Sequence, residues 1–282
     1  MIQIWRRDDW QEKWLNAIQS NKTIGFVPTM GALHEGHLEL IRASKLTCDI
    51  TVVSIFVNPT QFNNSEDFTN YPKTLNEDLE KLRQEKVDYV YTPSNDDIYT
   101  ELPILSFSFG RLESTLEGAF RPGHFNGVGI VVSKLFNIIR PNRSFFGQKD
   151  LQQVAIIRRL VTDLSFGIEL VVVPTKREPD GLAMSSRNLR LSPIERESAP
   201  QIFKSLTKAK NELLAGTSWF KVQQEIVASF KENSLMNLEY FELIHPDTFM
   251  PYQEFDSNQK SSICTAAYLG NIRLIDNLSI IS

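Results

Sequence analysis

Five apolar runs alternate with helix-patterned segments through the first part of the chain, and this alternation constrains the fold more than any other feature. The runs are "TIGFVPT", ended by Pro28, then "DITVVSIFVNP", "DYVYTP", "RSFF" and "IELVVVPT". The longer ones are rich in Val, Ile and Phe with little polar alternation, the pattern of strands buried on both faces. Between them lie "GHLELIRASKL", with Leu38, Ile41 and Leu46 at roughly helical spacing, and "YPKTLNEDLEKLRQEKV", with Leu75, Leu79 and Leu82 on one face. "GVGIVVSKLFNIIRP" reads as a buried helix stopped by Pro141, and "LQQVAIIRRLVTDL" as a further helix. Strand–helix–strand repeats call for parallel strands joined by crossover helices. The predicted class is therefore α/β, a Rossmann-like doubly wound parallel sheet.

After "SSRNLRL" the character changes. "SPIERESAPQIFKSLTKAKNELLAG" reads as one helix with Ser192 as N-cap and Pro193 at its first position. "WFKVQQEIVASFKE" is a second helix, and "LEYFELI", "SSICTAAYL" and "IRLIDNLSI" form a small antiparallel sheet. A chain of 282 residues fits one large and one small domain. The predicted division is 1–176 for the Rossmann-like domain and 177–282 for a smaller C-terminal α+β domain.

Composition excludes several classes of function. The net charge of -4 argues against nucleic acid as a partner, so an anionic ligand must be held by local positive groups. The two cysteines, Cys48 and Cys264, are far apart and outside any C-x-x-C pattern, which makes neither a disulfide framework nor a zinc ribbon. A reducing cytoplasm is the expected location. The N-terminal "MIQIWRRDDW" has no apolar signal region, and "GVGIVVSKLFNII" is too short, and interrupted by Lys134, to span a bilayer. No membrane partner is expected.

In doubly wound sheets ligands bind beyond the carboxyl ends of the strands. "TMGALHEGH", "NPTQF" and "GQKD" all follow strands, so they are predicted to open into one crevice. The first places His34 and His37 among Gly31 and Gly36 where a helix begins. A phosphate reading fits: glycines admit close backbone approach, a helix start offers free N–H groups, and imidazoles donate hydrogen bonds to phosphoryl oxygens. Zinc would require histidines four apart and a third ligand, and simple capping of a tight turn is a further alternative. Asn58 and Gln61 offer uncharged amides suited to a hydroxyl or carboxylate, although N-P and the N-N-S that follows are also ordinary turn chemistry. In "RPGHFNGVG", Arg121 either orders a surface loop or holds an anion. In "FFGQKDLQQV", Gly147 permits a tight turn, Asp150 is placed as an N-cap, Lys149 is either solvated or a charge for phosphate, and Gln153 lies on the first turn of the helix. "GLAMSSRN" sets two hydroxyls beside Arg187, as a phosphate clamp or a flexible linker.

Five motifs in order, "PTMGALHEGH", "VNPTQF", "RPGHFNGV", "FFGQKD" and "GLAMSSRN", resemble the pantoate–β-alanine ligase (pantothenate synthetase) family of the HIGH-type nucleotidylyl-transferase superfamily. The ending "AAYLGNIRLIDN" resembles it more faintly. The resemblance implies ATP-dependent condensation of (R)-pantoate with β-alanine through pantoyl adenylate, releasing pyrophosphate and AMP, with Mg²⁺ accompanying ATP and no protein ligand named for it. It implies that Met30, Gly31, Ala32, Leu33, His34, Glu35, Gly36 and His37 line the ATP site, with His37 as proton donor. Gly147, Gln148, Lys149 and Asp150 are to meet the ribose and phosphates, and Met184, Ser185, Ser186 and Arg187 the triphosphate, with His34, Lys149 and Arg187 also catalytic. Lys176 is to offer a backbone contact to adenine. Gln61 and Gln153 are to hold pantoate, Gln61 also facing β-alanine, with Asn58 and Arg121 beside them. A homodimer is the family expectation. The alternatives are another adenylyl or cytidylyl transferase of the superfamily, which would not need both Gln61 and Gln153, and a catalytically silent nucleotide-binding module.

Overall fold

The computed structural model describes residues 1–62, 68–69 and 71–281. The N-N-S turn read at 63–65 lies outside the described residues. The chain forms two compact units, Met1–Gly147 with Gln153–Val173, and Gln148–Gln152 with Pro174–Ser282. The change of unit thus falls after Val173, a few residues before the predicted 176, and Gln148–Gln152 group with the second unit.

The first unit is a six-stranded parallel sheet of β1 (Ile2–Ile4), β2 (Ile24–Thr29), β3 (Ile50–Ile55), β4 (Tyr89–Tyr91), β5 (Arg143–Gly147) and β6 (Glu169–Val173), in the order β1-β4-β3-β2-β5-β6. Its main helices are α1 (Arg7–Gln19), α2 (Glu35–Thr47), α3 (Leu75–Gln84), α4 (His124–Ile139) and α5 (Leu151–Asp163). Successive residues of a strand point to opposite faces. Ile24, Phe26, Ile50 and Val52 accordingly pack with Trp10 of α1, Val128 and Phe136 of α4, and Ile157 of α5. Val27 and Val53 pack with Ile41 of α2 and with Leu79 and Leu82 of α3. The sheet is therefore covered on both faces, as the apolar runs require.

Several local expectations are corrected. Strand β2 does not stop at Pro28; it pairs with β3 through Thr29. Proline is tolerated there because pairing with β5 is confined to Gly25 and Phe26, leaving that side of Pro28 without a ladder. Ile41 is buried as expected, but Leu46 is 85% exposed, and α2 buries Leu40 and Ser44 in its place. Helix α4 begins three residues before Gly127, at His124, and ends with Arg140 in the left-handed region, just ahead of Pro141. Strand β1 and helix α1 carried too weak a pattern to be read: β1 has three residues, and α1 fully buries only Trp10 and Ala17. Trp10 is anchored by an Nε1–H bond to the carbonyl of Ile139 (3.1 Å) and an edge contact with Tyr89.

The second unit carries α6 (Pro193–Ser198), α7 (Gln201–Leu214) and α8 (Trp219–Glu232) with an antiparallel sheet β7 (Met236–Ile244), β8 (Ser261–Leu269) and β9 (Ile272–Ile281). Ser192 caps α6 reciprocally with Glu195, as its sequence position implies. The single long helix expected from residue 192 is two, because Pro200, lacking an N–H, sits between α6 and α7. Ile202, Leu206, Val222, Ile226, Leu243 and Ile263 are among the residues of a separate core. Among the described residues no helix is long and apolar enough to cross a membrane.

Candidate active site

In the first unit the loop between β2 and α2 turns through Gly31 (φ +82°) and Ala32 (φ +50°). Ala32 is held in a backbone region that non-glycine residues rarely occupy, at a cost on the order of 1 kcal/mol. What holds it is Asp78 of α3, which is 1% exposed. Its two carboxylate oxygens accept the N–H groups of Ala32 (2.9 Å) and Leu33 (2.7 Å), and the Thr74 hydroxyl donates to it as well (3.0 Å). Lys81 of the same helix donates to the Leu33 carbonyl (2.6 Å). A buried carboxylate is costly unless its oxygens are satisfied, and here they are satisfied by the loop. Sequence reasoning missed Asp78, although a signal existed: an aspartate interrupts the apolar stripe of Leu75, Leu79 and Leu82.

Helix α2 starts from this loop with His34 as its N-cap. His34 Nδ1 accepts the N–H of Gly36 (3.2 Å), and His37 Nδ1 accepts the N–H of His34 (3.3 Å). The rings lie 4.1 Å apart, centroid to centroid. An Nδ1 that accepts places the neutral ring's proton on Nε2, so both imidazoles are Nε2–H donors. Capping and phosphate binding are thus compatible, because they use different nitrogens. Among the described residues no group of three or more His, Cys, Asp or Glu is placed to hold a metal. The Glu35 carboxylate is engaged by Arg42, leaving its backbone as its contribution to the helix start.

After β3, Asn58 caps a short 3₁₀ turn, Pro59–Gln61, of which Gln61 is the last residue. Gln61 donates from Nε2 to the Met30 sulfur (3.0 Å), which brings these two candidates together. Its Oε1 accepts from Asn58 Nδ2 (3.1 Å). Asn58, read as a ligand amide or as a support, is 1% exposed and fully bonded. It donates also to the Gly127 carbonyl (3.2 Å) and accepts from Thr60 Oγ1 (3.0 Å) and Tyr99 Oη (2.8 Å). It supports Gln61. Burial pushes the Tyr99 hydroxyl pKa up, keeping it a neutral donor.

His124, at the start of α4, has a role that its sequence motif does not announce. Arg121 Nη1 donates to its Nε2 (3.2 Å), so its Nδ1–H donates to the Gln61 carbonyl (2.9 Å). Arg121 and His124 together brace the Gln61 backbone. Gly127 completes the support: a Cβ there would lie 2.3 Å from the Thr60 carbonyl oxygen and 2.8 Å from Gln61 Cα. Replacing Gly127 by alanine is expected to push this turn off α4 and cost about 1–3 kcal/mol, read as a lowered melting temperature. A variant melting with the wild type would show that the contact is not tight. Gln153 is half-buried on the first turn of α5. Gly147 ends β5 where the 3₁₀ turn Gln148–Asp150 begins, but that turn does not require glycine: its φ is not positive, and a Cβ would meet nothing within 4 Å.

The second unit gathers the other candidates. Gln148–Asp150 form a 3₁₀ turn leading directly into α5, and Asp150, expected as its N-cap, pairs with the Lys149 ammonium (3.5 Å). The Lys149 side chain is 18% exposed, so it is not the freely solvated lysine of the bland alternative. Asn277 Nδ2 donates to the carbonyls of Gln148 and Lys149, both at 2.9 Å, and Gln148 Nε2 donates to Ser279 Oγ (3.1 Å). Residues 176–184 fold back on themselves: the Lys176 carbonyl accepts Met184 N–H (3.0 Å), and Arg177 bridges to Ala183. Ser185 Oγ accepts Arg187 N–H (3.2 Å), capping the turn Ser186–Arg190, and Asn188 Nδ2 donates to the Ala183 carbonyl (3.1 Å). The Ser185–Arg187 segment is thus an ordered turn, not a flexible linker. Arg177 grips Asp276 through two hydrogen bonds (2.6 and 3.0 Å) and lies 3.8 Å over the Phe203 ring. Burial pushes the Asp276 carboxyl up, and the Arg177 guanidinium pulls it back.

The sequence profile described as Pantoate-beta-alanine ligase matches residues 3–279. A pantothenate synthetase from Azobacteroides pseudotrichonymphae genomovar. CFP2 is 45% identical over 270 residues, covering 95% of this chain and 96% of its own. The pantothenate synthetase structure from Thermus thermophilus superposes with a TM-score of 0.92 at 36% identity over 100% of both chains. The pantoate-beta-alanine ligase from Francisella tularensis, solved with beta-gamma ATP and beta-alanine, gives a TM-score of 0.82 at 36% identity over 99% of this chain and 98% of its own. With matches of this identity running end to end, the chain belongs to the pantoate–β-alanine ligase family.

Proposed function

We propose that the chain condenses (R)-pantoate with β-alanine at the expense of ATP, by way of pantoyl adenylate. The observation that carries the reading is the histidine pair at the start of α2, both rings held by backbone N–H groups so that both present Nε2–H. Family membership and the nucleotide and amine named for the Francisella relative agree with it. In the first step a pantoate carboxylate oxygen attacks the α-phosphorus of ATP, and the bond to pyrophosphate breaks. Negative charge grows on the phosphoryl oxygens, where the Nε2–H groups of His34 and His37 donate hydrogen bonds, His37 being the assigned donor. Pantoate is assigned to Gln61, oriented by Asn58, and to Gln153. In the second step the β-alanine amine attacks the activated carbonyl carbon, the bond to the AMP phosphate oxygen breaks, and the amine's proton passes to the departing phosphate or to water. Little covalent work falls on the protein, so positioning is its main contribution.

In the first unit, 30–37 are assigned to ATP; in the second, Gln148, Lys149, Asp150, the Lys176 backbone and 184–187. Mg²⁺ belongs to the proposal as the counter-ion of ATP, its oxygens supplied by phosphates and water. We place the reaction in the cytoplasm, supported by Cys48 and Cys264, neither of which is in a disulfide. The expected homodimer has its support in residues 102–105, outside any helix or strand, where Leu102, Ile104 and Leu105 are exposed.

The test is pyrophosphate release from ATP and Mg²⁺ with stoichiometric enzyme and no β-alanine. A burst of about one equivalent per site that depends on pantoate is expected. ATP binding with no such burst would reject the ligase reading.

A further inference from the structure

The motif "RLIDN" near the end of the chain has no part in the assignments above. It supplies two adjacent polar residues of β9, Asp276 and Asn277, both buried at 4% and 3% exposure. Polar side chains at buried strand positions are costly unless bonded. Here the bonds lead to the two second-unit segments assigned to ATP. Asp276 takes the two bonds from Arg177, which in turn donates to the Gly181 carbonyl (3.1 Å) and the Asn277 carbonyl (3.3 Å). That fixes the fold-back of 176–184, from which Ser185 to Arg187 emerge. Asn277 spends its amide N–H groups on the carbonyls of Gln148 and Lys149. Lys149, Ser185, Asn188 and Asp276 meet around one small cavity of ≈ 10 Å³.

We infer that Asp276 and Asn277 are positioning residues for ATP, one anchoring the 176–187 segment and the other the Gln148–Asp150 turn. Strand β9 thereby sets the spacing between the Lys149 ammonium and the Ser185–Arg187 clamp. This rests on the reading that both segments hold the nucleotide's phosphates. Neither residue touches substrate; each acts through a neighbour. A loosened spacing must weaken the grip on ATP and leave pantoate, assigned to the first unit, untouched.

The experiment is Asn277→Ala and Asn277→Ser, each measured for KM of ATP, KM of pantoate, kcat and melting temperature. Asn277→Ala should raise the KM of ATP by about tenfold or more, while the KM of pantoate stays within about twofold. Asn277→Ser keeps one hydroxyl donor and should fall between the wild type and alanine. A folded variant with unchanged KM for ATP would overturn the inference, and so would a variant in which both KM values rise together. If Asn277→Ala does not fold, Asn277→Ser is judged by the same two criteria. Should the wild type itself release no pyrophosphate, the ligase reading fails on its own. Calorimetric titration of ATP into wild type and variant then still decides the positioning role, equal affinities rejecting it.

Discussion

Replacing His37 by alanine is expected to lower the rate of pantoate-dependent pyrophosphate release by about 10²–10³-fold, the scale on which one preorganised donor acts on developing charge. The structure allows a sharper test than alanine alone. His37 uses Nδ1 to accept the His34 N–H and keeps its proton on Nε2. Asparagine can place its oxygen near the Nδ1 position, retaining the cap and losing the donor. Glutamine can place its NH₂ near Nε2, retaining the donor and losing the cap. If the Nε2–H does the chemistry, His37→Gln should keep more activity than His37→Asn, while His37→Asn should keep more stability. The reverse order in single-turnover rates would mean that the ring serves mainly to start the helix.

The second large effect is expected at Asp78. Asp78→Asn keeps the shape but turns an NH₂ group toward one of two backbone N–H groups, those of Ala32 and Leu33. One buried donor then loses its acceptor, at a cost of about 1–3 kcal/mol, offset in part if Ala32 relaxes from its left-handed conformation. In a chain of this size that corresponds to a melting temperature lower by roughly 2–10 °C. The KM of ATP should rise, because the displaced loop carries Met30 to His37, and the first-turn geometry of α2 should loosen with it. Wild-type melting together with wild-type KM for ATP would show that the loop holds its shape without the carboxylate.

Two kinds of information separate cleanly in this protein. Features set within a few residues were legible in the sequence. The apolar runs of β2 and β3 became buried strands because burial on both faces demands continuous apolar side chains. Ser192 and Glu195 cap α6 because their spacing alone brings side chain to backbone. The motifs at 28–37, 58–61 and 184–187 were read where they stand because their glycines, amides and hydroxyls are local chemistry.

What escaped was decided by partners distant in sequence. Asp78 lies 46 residues from the Ala32 N–H it holds, His124 lies 63 from the Gln61 carbonyl, and Asn277 lies 128 from the Lys149 carbonyl. No periodicity announces such pairs, since each depends on which helix face or strand end the crossovers deliver to the same place. Asn58 shows the same limit: its residue type permits ligand or support, and only burial with bonds to Gln61, Thr60, Tyr99 and Gly127 makes it a support. The sequence by itself determined the class of sheet, the order of the motifs and the donors they carry. The tertiary structure decided which buried polar groups hold those donors in place, because a buried polar group must find its partner wherever the chain returns.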